Sequence, residues 1–508
     1  MMHVDICCQI CGVSFNIGRY PTKDEATAEI PDTQWLRNTQ ALRAQTKGTC
    51  GKGCYLSNLI EVPSDSDIRQ LVVESMEPIS KVKSRRYTSD EQHISGPACS
   101  KPGGYSGYAI MPEEIRGSCT FQCLVPKPRQ RRLLMRPINA GESVPDQDFY
   151  LSGISDIMPS QGYVYSTWPL GRELPGLLYA RNWFNDSDDA EKAAMPFHPT
   201  CLEVFRRVSA YYGADIDNQS LMDWYRLEAR DQRLYHEFPR DPLVGKAKRY
   251  WQNGRDQLWL HLPGSEFLAA NPCFVPDLPS IIASVTANQT VLFEHSRISP
   301  VASDGHQSSD SLSRLPMEIR LHLASLLNAS DFASLRLVSR AFHNLPQSFY
   351  RNFIHKECPW LWETWCDYPY SIYARFESWE LRLRDTSWEK RKAKLEGDIR
   401  SLQDAILSGV DPEQNLPNIN TLRDRIAKEE AEYKKLREPI PPQRLPRGPD
   451  EVDWFGLYCT LSHNIHNLKG LRNRKRIWKD CEEIVLRIKK YRAEGLMKPA
   501  VSKWLTAS

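Results

Sequence analysis

Hydrophobic positions recur at helical spacing in several separate stretches of the chain. Leu202, Phe205, Val208 and Tyr212 are spaced three, three and four apart, which predicts a helix over 201–212. Leu221, Trp224, Leu227 and Leu234 predict a second helix over 220–235. Leu395, Ile399, Leu402 and Ile406 repeat at four, three and four. The pattern breaks over 409–417 and resumes with Leu422, Ile426, Tyr433 and Leu436, so an antiparallel helical hairpin within 375–437 is expected. Residues 118–125 (SCTFQCLV) have the length and composition of a strand.

The most informative stretch is 315–353, LPMEIRLHLASLLNASDFASLRLVSRAFHNLPQSFYRNF. Pro316 stands where a first helical turn tolerates proline, and Glu318 suits the positive end of that helix. Ile319, Leu323, Leu326 and Leu327 line one face, and Asn328-Ala329-Ser330-Asp331 makes a turn with a good cap for the next helix. Phe332, Leu335, Val338 and Phe342 line that second helix, and Phe349 and Phe353 begin a third after Leu345-Pro346. Three helices in some 40 residues bury little surface by themselves. The segment has more apolar residues than one side of such a unit can hide. Leu315, Pro316, Ile319 and Leu335 are candidates to stay uncovered, as a partner-binding patch would.

Shifts in composition divide the rest. A Cys-containing N-terminal unit is expected over 1–60, a polar, charged loop or linker over 61–95, and an α+β region over 96–300 that could bind a client. Residues 301–313 (VASDGHQSSDSLS) read as a linker, 314–355 as the three-helix unit, and 356–508 as a helical C-terminal region containing the hairpin. The expected fold is mixed and mainly α. Its parts are an α+β N-terminal region, a central three-helix unit, and a C-terminal helical hairpin with further helices.

Composition adds limits. The chain has 508 residues, 66 Lys and Arg against 63 Asp and Glu, and a formal net charge of +3. That balance gives no whole-chain argument for nucleic acid or an anionic membrane surface. No apolar run is long enough for a transmembrane helix, and the N-terminus has neither the basic start nor the apolar centre of a secretory signal. Fourteen cysteines spread over this length fit reduced thiols, so a cytoplasmic or nuclear location is expected.

Leu315-Pro316-x-Glu318-Ile319, Leu326-Leu327 and Asp331-Phe332-x-x-Leu335-Arg336-x-Val338-Ser339-Arg340-x-Phe342 resemble an F-box, with Phe332 where leucine is commoner. Motifs elsewhere, among them Cys11-Gly12-Val13-Ser14-Phe15-Asn16, Pro196-Phe197-His198-Pro199 and Ile477-Trp478-x-Asp480-Cys481, are similar to a group of filamentous-fungal F-box proteins. The resemblance implies binding to a Skp-type adaptor and, through it, a cullin. The anchors carried over are Leu315, Pro316, Ile319, Leu326, Leu335, Val338 and Phe342. It implies a non-catalytic substrate-receptor subunit of a ubiquitin ligase, with an undefined client. An adaptor-binding scaffold without ligase role, and a chromatin or nucleic-acid associated factor, are the alternatives.

Other constellations carry chemistry. Cys8-x-x-Cys11 with Cys50-x-x-x-Cys54 has the ligands for a structural zinc, with Cys7 able to replace Cys8; small buried thiols are the other account. His198-x-x-Cys201 reads as core or capping residues, and Cys119-x-x-x-Cys123 as one buried strand face. Gly103-Gly104-Tyr105-Ser106-Gly107 reads as a turn, lacking the Lys-Ser/Thr ending of a phosphate loop. Arg472, Arg474, Lys475, Arg476 and Lys479 read as a solvated helix face with Trp478 in the core.

Overall fold

A computed structural model describes residues 7–27, 53–62, 70–78, 91–101, 103–126, 149–156, 194–213, 216–230, 238–249, 259–287, 310–409, 412–446 and 451–497. Among them the fold is mainly α, with small sheets confined to the N-terminal part. The strands are β1 (Arg19–Tyr20), β2 (Tyr55–Val62), β3 (Gln70–Pro78), β4 (Glu91–Ile94), β5 (Tyr105–Ser106), β6 (Gln122–Pro126), β7 (Phe149–Leu151) and β8 (Met195–Phe197). β1 pairs in parallel with β5, while β3-β2-β4 and β7-β6-β8 are antiparallel sheets.

The helices in the N-terminal part are α1 (Lys23–Thr27), α2 (Pro112–Ile115), α3 (Pro199–Tyr211), α4 (Asn218–Arg230), α5 (Pro242–Arg249) and α6 (Leu278–Ala287). The three-helix unit consists of α7 (Met317–Leu326), α8 (Ala329–Val338) and α9 (Gln347–Glu357). Beyond it lie α10 (Ile372–Arg375), α11 (Ser378–Leu407), α12 (Pro412–Leu436), α13 (Trp454–Asn464) and α14 (Lys469–Ala493).

Three sequence expectations change. Residues 61–95 contain β3 and β4 and so are not simply a linker; the apolar run Leu71-Val72-Val73 is the strand signal that its charged neighbours obscured. The N-terminal segment is not a separate unit either. The Gln9 N–H donates to the Pro196 carbonyl at 2.9 Å, and Ile10 and Val13 share one hydrophobic core with Phe197, Trp362 and Trp478. The hairpin break is shorter than expected, because α12 starts at Pro412 and carries Pro417 within it. Of the linker expected over 301–313, residues 301–309 lie outside the described residues, and 311–314 form a short 3-10 turn.

The last helix, α14, is the strut of the molecule. Leu471, Arg474, Trp478, Cys481, Val485 and Ile488 are buried along it, in steps of three or four. It packs against α3 and α4, some 260 residues earlier in sequence. Two members of the basic cluster are therefore inside. Arg474 donates to both Glu363 oxygens, at 2.9 and 2.8 Å, and its guanidinium lies 3.8 Å from the Trp362 ring. Arg207 of α3 lies against the same ring at 4.9 Å. Lys475 and Lys479 remain exposed. An arginine with a complete set of acceptors and a planar partner can be buried where an isolated charge cannot.

The hairpin is antiparallel in register. The Trp388 and Tyr433 rings stack at 5.6 Å, the Tyr433 hydroxyl donates to Asp385, and Arg391 approaches Glu429 at 3.4 Å. Its base is fixed through Glu377, the residue before α11, which accepts from the Gly117 N–H at 3.0 Å and from Trp379 Nε1 at 2.6 Å. Burial, then the neighbouring Asp156 carboxylate, push the Glu377 carboxyl up from 4.5 to about 7. An acid whose folded pKa is raised binds more protons folded than unfolded between those two values. Its stabilising effect is present below pH 4.5 and lost as pH rises through about 7. The unfolding free energy from denaturant titrations should therefore fall between pH 5 and 8 more steeply for the natural chain than for Glu377→Gln, by on the order of 1–3 kcal/mol.

Candidate functional site

Local chemistry sets the three-helix unit. Pro316 precedes α7 and Glu318 sits in its first turn. The Asn328 side chain caps α8, its oxygen accepting from the Asp331 N–H at 3.0 Å. Asp310 closes the unit from outside: its carboxylate accepts from the Leu312 N–H at 3.0 Å and from the Ser339 hydroxyl at 2.7 Å. The Ser339 hydrogen bond holds that carboxyl below its ordinary range.

Inside, Ala324, Phe332, Phe342 and Ile354 have no exposed surface. The Phe332 ring lies 5.2 Å from both Phe349 and Phe353. Phenylalanine at 332 thus fills the interior of the unit. Phe349 and its neighbours continue into α13, with Tyr350 4.9 Å from Phe455 and Phe353 5.5 Å from Tyr458. Gln347 exchanges hydrogen bonds with the start of α13, donating to Asp453 at 3.2 Å and accepting from the Phe455 N–H at 3.1 Å. The unit is therefore an integral part of the C-terminal core.

Outside, α7 is apolar on a second face. Leu321 and Leu327 pack toward the core, whereas Ile319, Leu323 and Leu326 (47%, 38% and 67% exposed) form an outward stripe at steps of four and three. Leu337 and Val338, at the end of α8, are 89% and 83% exposed. Full burial of such a side chain stabilises by about 1.5–3 kcal/mol, so several left in water mark a surface made to be covered.

The seven expected anchors therefore separate. Pro316, Ile319, Leu326 and Val338 are exposed, Leu315 and Leu335 are half-buried, and Phe342 is buried. Phe342 is a correction: it holds the unit together from within and presents nothing to a partner. Leu323 and Leu337 join the exposed set although the motif resemblance does not name them as anchors. Leu323 follows Ile319 by four residues, which was a readable signal.

The thiols also regroup. Cys8 and Cys11 stand with His198 and Cys201, not with Cys54, and all four ligand atoms lie within 4.8 Å of one another. Cys54 stands instead with His93 and Cys99, and Cys50 lies outside the described residues. Cys119 is buried and directs its Sγ to the Ile17 carbonyl at 3.2 Å. Tyr105-Ser106, within the glycine-rich segment, forms β5.

Comparison with known proteins gives one family. The model of the F-box domain matches residues 312–354, the segment that folds as α7–α9. A stretch of 52 residues is 47% identical to the ATP-dependent RNA helicase mss116, mitochondrial, of Aspergillus oryzae. It covers 10% of this chain and 8% of the length of the helicase. No solved structure matches the chain. The family match falls on the segment whose apolar stripe faces outward, so residues 312–354 of this chain are an F-box domain.

Proposed function

We propose that this protein is the substrate-receptor subunit of a Skp–cullin–F-box ubiquitin ligase, with its F-box recruiting the adaptor and its flanks holding a client. The observation that carries the reading is the outward stripe of Ile319, Leu323 and Leu326 beside Leu337 and Val338. A flexible tether would let a client drift. Here the F-box shares one hydrophobic core with both flanks, so a client bound on either flank would stand at a fixed distance from the adaptor. Such positioning raises the effective concentration of a client lysine near the ubiquitin-loaded enzyme, and no acid, base or nucleophile is required of this chain. Arg314 and Arg340 of the F-box are exposed, which suits an acidic rim on the partner.

The test is reconstitution of the full chain with a Skp-type adaptor and cullin. Adaptor and cullin should co-elute with it, and ubiquitin conjugates should form on proteins it captures. Adaptor binding without cullin or conjugates would leave only a scaffold. Deleting the F-box is a poor control, because it would expose Phe455 and Tyr458 of α13 to water.

A further inference from the structure

We infer that Cys8, Cys11, His198 and Cys201 form a closed tetrahedral zinc site that fastens the N-terminal loop to the start of α3. Two short motifs meet there. Cys8-Gln9-Ile10-Cys11 forms a tight loop in which the Gly12 N–H donates to the Cys8 carbonyl at 2.8 Å. Gly12 then takes a left-handed φ of 75°, a conformation that glycine tolerates best. His198 is the residue before α3, and Cys201 lies in its first turn.

The distances fit the metal. Bonds of about 2.3 Å to sulfur and 2.0–2.1 Å to nitrogen at tetrahedral angles place a sulfur and a nitrogen ligand roughly 3.6 Å apart. His198 Nδ1 is 3.6 Å from Cys11 Sγ and 3.7 Å from Cys201 Sγ. The other ring nitrogen, Nε2, is 2.9 Å from the Ser118 carbonyl, which can only accept. That bond puts the proton on Nε2 and leaves the Nδ1 lone pair aimed at the sulfurs, the outer-shell arrangement that orients metal-binding histidines. The Cys8 sulfur accepts from the Cys11 N–H at 3.4 Å and from the His198 N–H at 3.5 Å, so backbone dipoles from both motifs converge on it.

Charge gives a second, independent reason. Arg476 donates to the Cys11 carbonyl at 2.9 Å, and Arg240 donates to the Ile10 and Gln9 carbonyls at 2.6 and 2.8 Å. Asp480 pairs with both, at 3.1 and 3.6 Å. The guanidiniums of Arg476 and Arg240 thus place positive charge directly against the loop, with Asp480 and its neighbour Asp241 as the carboxylates nearby. Zinc with three thiolates and a neutral imidazole carries a single negative charge, which the guanidiniums hydrogen-bonded to the loop carbonyls stabilise.

The full chain, purified without chelator, should carry zinc, and Cys11→Ser and Cys201→Ser should each lose about one equivalent per chain. A chelator should lower the melting temperature of the natural chain and not of these variants. Where a serine variant does not fold, His198→Cys decides. Its cobalt-loaded form should keep a tetrahedral spectrum but with stronger thiolate charge-transfer bands and d–d bands at lower energy, as a fourth sulfur requires. A folded natural chain without zinc after exposure to zinc salts would overturn the inference. So would a cobalt spectrum unchanged by His198→Cys, which would put the metal elsewhere, for instance at Cys54, His93 and Cys99.

Discussion

Arg474→Ala is expected to destabilise the chain by about 3–5 kcal/mol, because it leaves the Glu363 carboxylate buried without the guanidinium nitrogen that contacts both its oxygens. That loss is a large fraction of the 5–15 kcal/mol that typically holds a domain folded. The damage should spread. Arg474 also reaches the Pro272 and Cys273 carbonyls, and it shares the Trp362 ring with Arg207 of α3. One side chain therefore ties the C-terminal helix, the segment after the F-box and the N-terminal part together. Thermal or denaturant unfolding of the purified chain reads the effect. The double change Arg474→Met with Glu363→Gln should recover much of the loss, since it removes both buried charges. A stability unchanged by Arg474→Ala would show that the pair is more hydrated than its burial implies.

The second large effect lies on the F-box surface. Ile319→Glu and Val338→Glu should each weaken adaptor binding about 30-fold or more, since central anchors often contribute 2 kcal/mol or more. Neither should change the melting temperature appreciably, because both side chains already face water. Phe342→Ala should behave in the opposite way. It empties a fully buried site, should cost about 3–5 kcal/mol of folding stability, and would weaken binding only through unfolding. Titration of the adaptor by calorimetry, with a melting curve for each variant, separates the two mechanisms. Full-strength binding by both glutamate variants would remove this face as the docking surface.

The contrast between Phe342 and Val338 indicates what periodicity can and cannot tell. Both lie on one apolar pattern in the sequence, and both were expected to be anchors. A spacing of three or four does not show where a helix stops or whether a side chain meets the protein or a partner: α8 ends at Val338, and Phe342 is buried in the 3-10 turn Arg340–Phe342 beyond it. The buried arginines illustrate the same limit. Arg474 and Arg476 sit among Arg472, Lys475 and Lys479 in a run that reads as solvated, yet the partners that let them enter the core, Glu363 and the Cys11 carbonyl, are more than 100 residues away. Asn473 and Asp480, three residues before and four after Arg476, are the local hints.

The thiol clusters follow the same rule. Cys8-x-x-Cys11 and His198-x-x-Cys201 each have knuckle spacing, and each is visible by itself. Nothing in sequence says which pairs with which, and proximity along the chain favours Cys50 and Cys54 over the distant His198 and Cys201 that the fold brings to the first pair.

The sequence by itself determined the F-box, its caps and turns, the helix periods, the hairpin and a mainly α chain, because these depend on residues a few positions apart. Only the tertiary structure decided that the N-terminal loop, the F-box and α14 share one core, and which apolar faces were left over for a partner. Those outcomes depend on contacts between residues far apart in the chain, where spacing carries no information and packing chooses the neighbour.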